Sequence, residues 1–178
     1  SSITTLPTAA AISFGQALSS SMLSGGAGNV AGTFAFATPT ALPGVGSSVR
    51  SVVFTPTDSG NYTTATANVT VLVNKAASSI TTLPTAAAIS FGQALSNSTL
   101  SGGAGSVAGT FAFATPTVIP AVGSAARSVV FTPTDSGNYT TATGNVTVVV
   151  NKAPSSIMTL PTAAAISFGQ ALSNSTLS

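Results

Sequence analysis

Val69-Thr70-Val71-Leu72-Val73-Asn74 sets a valine at every second position, and Thr33-Phe34-Ala35-Phe36-Ala37 does the same with phenylalanine. Successive side chains of an extended strand point to opposite faces, so this period of two gathers Val69, Val71 and Val73 on one side. A helix would scatter them around its circumference. Ser51-Val52-Val53-Phe54 adds Val52 and Phe54 to one face of a third segment. Between the runs stand chain breakers: Pro7, Gly25-Gly26, Pro39, Pro43-Gly44, Pro56 and Ser59-Gly60-Asn61. The helix-favouring cluster Ala9-Ala10-Ala11 is boxed in by Pro7-Thr8 before it and Ile12-Ser13-Phe14 after it. The spacing predicts an all-β unit of about six short strands arranged as a sandwich. Strands are expected near residues 17–23, 32–37, 49–55 and 66–74. The expected core face is Phe34, Phe36, Val52, Phe54, Val69, Val71 and Val73. Residues 58–62 are expected to form the loop joining the last two strands, with Tyr62 covering one end of the core.

The unit is repeated. Ser1-Ser2-Ile3-Thr4-Thr5-Leu6-Pro7 returns at Ser78 to Pro84 and, with one change, at Ser155 to Pro161, a period of 77 residues. The first two copies differ at eleven positions, among them Ser20/Asn97, Met22/Thr99, Gly44/Ala121 and Val49/Ala126. The expected organisation is therefore 1–77, 78–154 and a partial third copy, 155–178, that holds only the opening strands. Asn74-Lys75-Ala76-Ala77 runs straight into Ser78 with no flexible Gly/Ser stretch, and Pro154 replaces Ala77 in the second copy. A connection this short is expected to hold neighbouring units in a fixed, extended relation. The opening strands in 155–178 cannot bury Ile166, Phe168 and Leu172 alone, and are expected to gain order by pairing with a neighbouring molecule or domain.

Only 3% of residues are charged, and the six charges fall at equivalent positions: Arg50/Arg127, Asp58/Asp135 and Lys75/Lys152. The net charge of +2 makes no basic patch, so nucleic acid has no electrostatic footprint to bind. Disorder is excluded by a hydrophobic fraction of 44% and a mean hydropathy of +0.54. No apolar run reaches the length of a membrane helix, and a secretion signal, if any, is expected to lie outside the chain. With no cysteine, stability must come from packing and from neighbouring units.

Four segments recur in fixed order: Ile12-Ser13-Phe14-Gly15-Gln16-Ala17-Leu18, Gly32-Thr33-Phe34-Ala35-Phe36, Phe54-Thr55-Pro56-Thr57-Asp58-Ser59-Gly60-Asn61-Tyr62-Thr63-Thr64-Ala65-Thr66 and Val69-Thr70-Val71-Leu72-Val73-Asn74-Lys75. Together they resemble the bacterial immunoglobulin-like repeats, especially the MBG type, of large surface proteins and adhesins. The family usually carries Tyr where Phe14 stands. The resemblance implies tandem Ig-like β-sandwiches in an extracellular stalk or adhesive array, with no catalytic residues to carry over.

The residues themselves offer little chemistry. Without His or Cys, the commonest general base, the thiol nucleophile and the soft metal ligands are missing. One carboxylate per unit cannot supply a glycosidase pair, and is thin for calcium, which takes six to eight oxygens. Asp58 is expected to brace a turn, and Lys75 to be solvated at the unit boundary. Gly26-Ala27-Gly28-Asn29-Val30-Ala31-Gly32 lacks the Lys-Ser/Thr pair and following helix of a phosphate loop, and is expected to be a turn. Acceptor patterns for N-glycosylation occur at Asn61, Asn68, Asn97, Asn138, Asn145 and Asn174, against a background of Ser and Thr dense enough to produce them by chance. The expectation is a non-enzymatic structural component of an extracellular fibre, filament or cell-surface stalk. Its partners would be other copies of itself, with no cofactor, no metal and no membrane span. The alternative is an adhesin module that binds host or matrix glycans or a surface receptor. The absence of Trp and the near-invariant loops weigh against that alternative.

Overall fold

The alternating segments become the longest strands. The computed structural model describes residues 1–178 and is all-β, its only helical pieces being 3-10 turns at Leu18–Ser20, Leu95–Asn97 and Leu172–Asn174. The first copy contains β1 (Ile3–Thr5), β2 (Thr8–Ala9), β3 (Ile12–Ser13), β4 (Leu23–Ser24), β5 (Ala27–Gly28), β6 (Gly32–Phe36), β7 (Gly46–Pro56) and β8 (Ala65–Asn74). β7 and β8 pair antiparallel from Gly46↔Val73 to Phe54↔Ala65. β6 pairs antiparallel with the far half of β7, from Gly32↔Pro56 to Phe36↔Val52. On the other edge, β3 lies parallel to the end of β8, with Ile12 opposite Val73, and the Phe14 N–H donates to the Asn74 carbonyl at 2.8 Å. The sheet order is β3-β8-β7-β6, and two short antiparallel pairs, β1–β5 and β2–β4, stand apart from it. β1 and β2 pack across β8 and close the apolar face.

The period of two survives into burial. Val69, Val71 and Val73 of β8 are buried while Thr70, Leu72 and Asn74 are exposed. They join Ile12, Leu18, Phe36 and Val52 in one core, against which Phe14, Leu23 and Phe34 are half-buried. Phe54 is 1% exposed and faces Phe34 across the β6–β7 ladder, their rings 5.0 Å apart. The segment 25–32 folds over the Phe54 ring, and two of its glycines make that approach feasible. A Cβ at Gly28 would lie 2.3 Å from the ring, and one at Gly32 2.5 Å from it. Part of this segment is β5 rather than a simple turn, because Ala27–Gly28 pairs with β1.

Residues 17–23 do not form the expected strand. Leu18–Ser20 is a 3-10 turn, and only Leu23 enters a strand. The turn is held by bonds from a distant segment: the Leu18 N–H donates to the Ala41 carbonyl at 3.0 Å and the Ser19 N–H to the Pro39 carbonyl at 2.8 Å. It drives Leu18 fully into the core and buries Ser21, whose hydroxyl donates to the Ala10 carbonyl at 2.5 Å.

The second copy repeats the pattern in β9 (Ile80–Thr82), β10 (Thr85–Ala86), β11 (Ile89–Ser90), β12 (Leu100–Ser101), β13 (Ala104–Gly105), β14 (Gly109–Phe113), β15 (Gly123–Pro133) and β16 (Ala142–Asn151). Its main sheet has the order β11-β16-β15-β14, and no sheet mixes strands of 1–77 with strands of 78–154. Some of the differences between the copies preserve an interaction. Asn29 accepts the Ser2 N–H through Oδ1 at 2.8 Å, and its counterpart Ser106 accepts the Ser79 N–H through Oγ at 3.0 Å. Another difference loses one. Arg50 Nε donates to Ser48 Oγ at 3.1 Å, but Ala125 stands at the Ser48 position, and Arg127 Nε is buried with no partner.

Residues 155–178 form a small loop closed by reciprocal bonds between Thr162 and Ser178 at 2.9 and 3.0 Å. No strand of either copy pairs with it. Phe168 is fully exposed, so the expected burial against a neighbour is not made within the chain.

Two substitutions test this account. Phe54→Ala is expected to lower stability by roughly 3–5 kcal/mol, the usual range for emptying an aromatic core site. Ala125→Ser is expected to raise the stability of the second copy by about 1 kcal/mol, because it restores an acceptor to a buried donor. Denaturant unfolding of each variant against the parent chain reads both effects.

Candidate functional site

Each copy carries one aspartate, in the loop between its last two strands, and in the second copy that loop meets the first copy. In the first copy, the Asp58 carboxylate accepts the Asn61 N–H at 3.2 Å and the Asn61 side-chain amide at 2.8 Å, and the Tyr62 N–H donates to the Asp58 carbonyl at 3.1 Å. The second copy repeats all three bonds with Asp135, Asn138 and Tyr139. Asp is therefore a turn brace in both, its oxygens occupied by amides of its own loop. The Asn61 side-chain bond chiefly holds the Asp58 carboxyl below its usual pKa. Slight desolvation opposes it, and the backbone amides of Asn61 and Gly60 add to the lowering.

This loop is where the copies join. Past the end of β8 the chain continues extended, and Ala76 forms a parallel bridge to Tyr139. The Ala76 N–H donates to the Asn138 carbonyl at 2.9 Å, and the Thr140 N–H donates to the Ala76 carbonyl at 2.9 Å. Lys75 Nζ donates to the Ser136 carbonyl at 2.7 Å. Phe14, which follows β3, meets Tyr139 edge to face with ring centroids 5.7 Å apart and planes at 80°. The chain then enters the second copy, where the Ser78 hydroxyl donates to the Thr140 carbonyl at 2.6 Å. Strand extension, ammonium and aromatic ring from 1–77 thus close on one preformed loop of 78–154.

Two expectations change in this light. Tyr62 does not cover the core of its own unit: it is 43% exposed, while its counterpart Tyr139 packs on Phe14 of the preceding copy. Lys75 is exposed as expected, yet it is tethered across the junction. The one sequence signal for this role was the placement of each unit's single Tyr in a polar turn, where no core of its own unit needs it.

The acceptor patterns fall at scattered places. Asn68 and Asn145 are exposed in β8 and β16, and Asn97 and Asn174 are exposed at the ends of 3-10 turns. Asn61 is exposed in the bracing loop, whereas Asn138 is half-buried at the junction. No group of three or more Asp, Glu, His or Cys side chains is brought together. No helix is long and apolar enough to cross a membrane. No protein-family model matches the chain, and no curated protein matches it.

The melting temperature is expected to stay level from about pH 5 to about pH 8, where only groups such as His ordinarily titrate. The sign in acid follows from Asp58. Its folded pKa is lowered, so the stability it adds is present above its unfolded pKa and fades as pH falls through the folded value. EDTA is expected to leave the transition unmoved. Calorimetry across this range, with and without chelator, checks both statements, and a shift of several degrees on adding EDTA contradicts them.

Proposed function

We propose that the chain is a structural segment of an extracellular fibre, filament or surface stalk, built from tandem Ig-like β-sandwiches with a 77-residue period and without enzymatic activity. The units would be 1–77 and 78–154, with 155–178 opening a third. The single observation that carries the reading is the junction. Lys75, Ala76 and Phe14 engage the loop 136–140 directly, so the copies are clasped rather than strung on a flexible linker. A clasp adds nothing to a free catalyst but serves a device that must keep its length. The four-stranded sheet closed by short strand pairs, and the ordered segments resembling MBG-type repeats, support the Ig-like assignment. The outer faces are rich in Thr, Ser and Asn and nearly free of charge. That surface suits close packing among copies better than it suits a crowded solution of independent monomers.

Small-angle scattering of tandem arrays made by adding whole 77-residue units tests the proposal. A stiff array lengthens in proportion to the number of units, whereas units on flexible linkers extend roughly as its square root. Linear growth is expected. Square-root growth, together with binding on a glycan array, would transfer the reading to an adhesive module.

A further inference from the structure

The two edges of each main sheet are finished differently. On one side stands β3, whose outward residue is Ser13. Its N–H donates to Gln16 Oε1 at 2.8 Å, and its carbonyl accepts the Gln16 N–H at 3.0 Å. Gln93 caps Ser90 in the same way in the second copy. On the other side stands β6, paired with β7 alone. The Thr57 N–H donates to the Ala31 carbonyl and the Ala37 N–H to the Ser51 carbonyl, which fixes Thr33 and Ala35 as the residues bonded to β7. Gly32, Phe34 and Phe36 therefore turn their N–H and C=O groups outward, and nothing in the chain bonds them. β14 leaves Gly109, Phe111 and Phe113 in the same state. Neighbouring copies do not cover these edges. β6 is open in a copy with a neighbour after it, and β14 in a copy with a neighbour before it.

Proteins usually blunt such an edge with a charge, a proline, a bulge or a covering segment. Gly32-Thr33-Phe34-Ala35-Phe36 has no charge and no proline, pairs with β7 in unbroken register, and recurs unchanged as Gly109 to Phe113. The apolar face also stays open beside it. In the second copy two clefts meet at Leu100 and Phe111, one reaching Phe131 and the other Phe113. A cleft of the same kind opens at Leu23, Phe34 and Phe54 in the first copy.

We infer that these edges pair between molecules: β6 or β14 of one chain lies antiparallel to β6 or β14 of a second copy of this chain, joining two four-stranded sheets into one. The occupant follows from self-complementarity. Set antiparallel about Phe34, the strand places Phe34 opposite Phe34 and Gly32 opposite Phe36 of its twin, so every outward donor of each meets an outward acceptor of the other. The half-buried Phe34 would meet its counterpart over the open cleft. Thr33 would stand opposite Ala35 on the outer face, with no charge to hold the strands apart. A contact between identical patches is isologous and closes on itself, so it ties molecules side by side rather than end to end. One seam of five residues is far smaller than the ~800 Å² per partner of a stable interface, but seams repeated along an array act together. The inference deepens the structural reading above and rests on it, but the two can fail separately. Stiffness is read from the length of covalent arrays, and lateral pairing from the edge amides of free chains.

The test is sedimentation velocity of the 178-residue chain over a series of concentrations, with hydrogen exchange read at Gly32, Phe34 and Phe36 and at their counterparts. One variant combines Thr33→Lys, Ala35→Lys, Thr110→Lys and Ala112→Lys; a second changes the same four residues to Glu. All four side chains are exposed, so neither variant disturbs a core, and circular dichroism confirms the fold of each. The parent chain is expected to sediment faster as concentration rises, while the outward amides become slower to exchange. Each variant alone is expected to remain a monomer, because like charges then face each other across the seam. The equimolar mixture is expected to associate again, because Lys on one chain faces Glu on the other. A parent chain that stays monomeric up to its solubility limit overturns the inference, and so does a mixture that stays monomeric. Association that leaves the edge amides unprotected, or that persists undiminished in both variants, overturns it too and assigns the contact to another face or to another strand.

Discussion

The antiparallel ladder between β7 and β8 is the interaction on which the rest of each unit depends. It is the longest pairing in the fold, and it presents Val52 and Phe54 from one strand and Val69, Val71 and Val73 from the other to a single face. Every other piece of the unit packs on or extends from it. β6 brings Phe34 and Phe36, β3 brings Ile12 beside Val73, and the 3-10 turn lowers Leu18 onto the same face. With no disulfide and almost no charge, apolar burial on this ladder is the main favourable term opposing chain entropy. The same strand also reaches outward. Lys75 and Ala76 continue beyond Asn74, so the element that organises one core lays its tail on the next copy.

Comparing the two copies shows which constraints are firm. None of the seven residues of the main core differs between them, whereas exposed positions such as Met22/Thr99, Val49/Ala126 and Leu72/Val149 do. Half-buried positions tolerate exchange where a neighbour can yield. At Gly144 a Cβ would come within 2.7 Å of Leu83, yet the first copy holds Ala67 there, so the flexible leucine side chain must adjust. The glycines facing Phe54 have no such freedom. An aromatic ring wedged between strands cannot retreat, and Gly28 and Gly32 recur as Gly105 and Gly109 over Phe131.

Much of this was legible in the sequence because strand burial leaves a direct trace in the residues. Val69, Val71 and Val73 can share a face in only one regular conformation, and the structure buries all three. The turn at Leu18–Ser20 left no such trace. Leu18 and its neighbours bond to Ala41 and Pro39, which are distant in sequence, and those tertiary bonds override the local preference for an extended chain. The junction was harder still. Tyr62 and Tyr139 sit in identical local sequences, and the contact of Tyr139 is with Phe14 of another copy, so no reading of a single unit reveals it. The all-β class and core face were readable for one unit; the site belongs to two.

The economy of charge also becomes intelligible at the junction. A carboxylate that is fully solvated and bonded only to its own loop adds little to stability, yet Asp135 fixes the conformation of the carbonyls that the next element must find. Ser136 and Asn138 present those carbonyls to Lys75 Nζ and the Ala76 N–H. The lysine ammonium reaches the Ser136 carbonyl from a side chain that belongs to the preceding copy. An exposed charge–dipole contact of this kind is individually weak. Its value lies in geometry: it acts beside a strand bridge and an aromatic contact, all three on one braced loop. Weak contacts that share a rigid partner restrain rotation far better than one strong contact acting alone, because each removes a different degree of freedom. The residues that join the two copies are therefore among the few charged and aromatic ones the chain has.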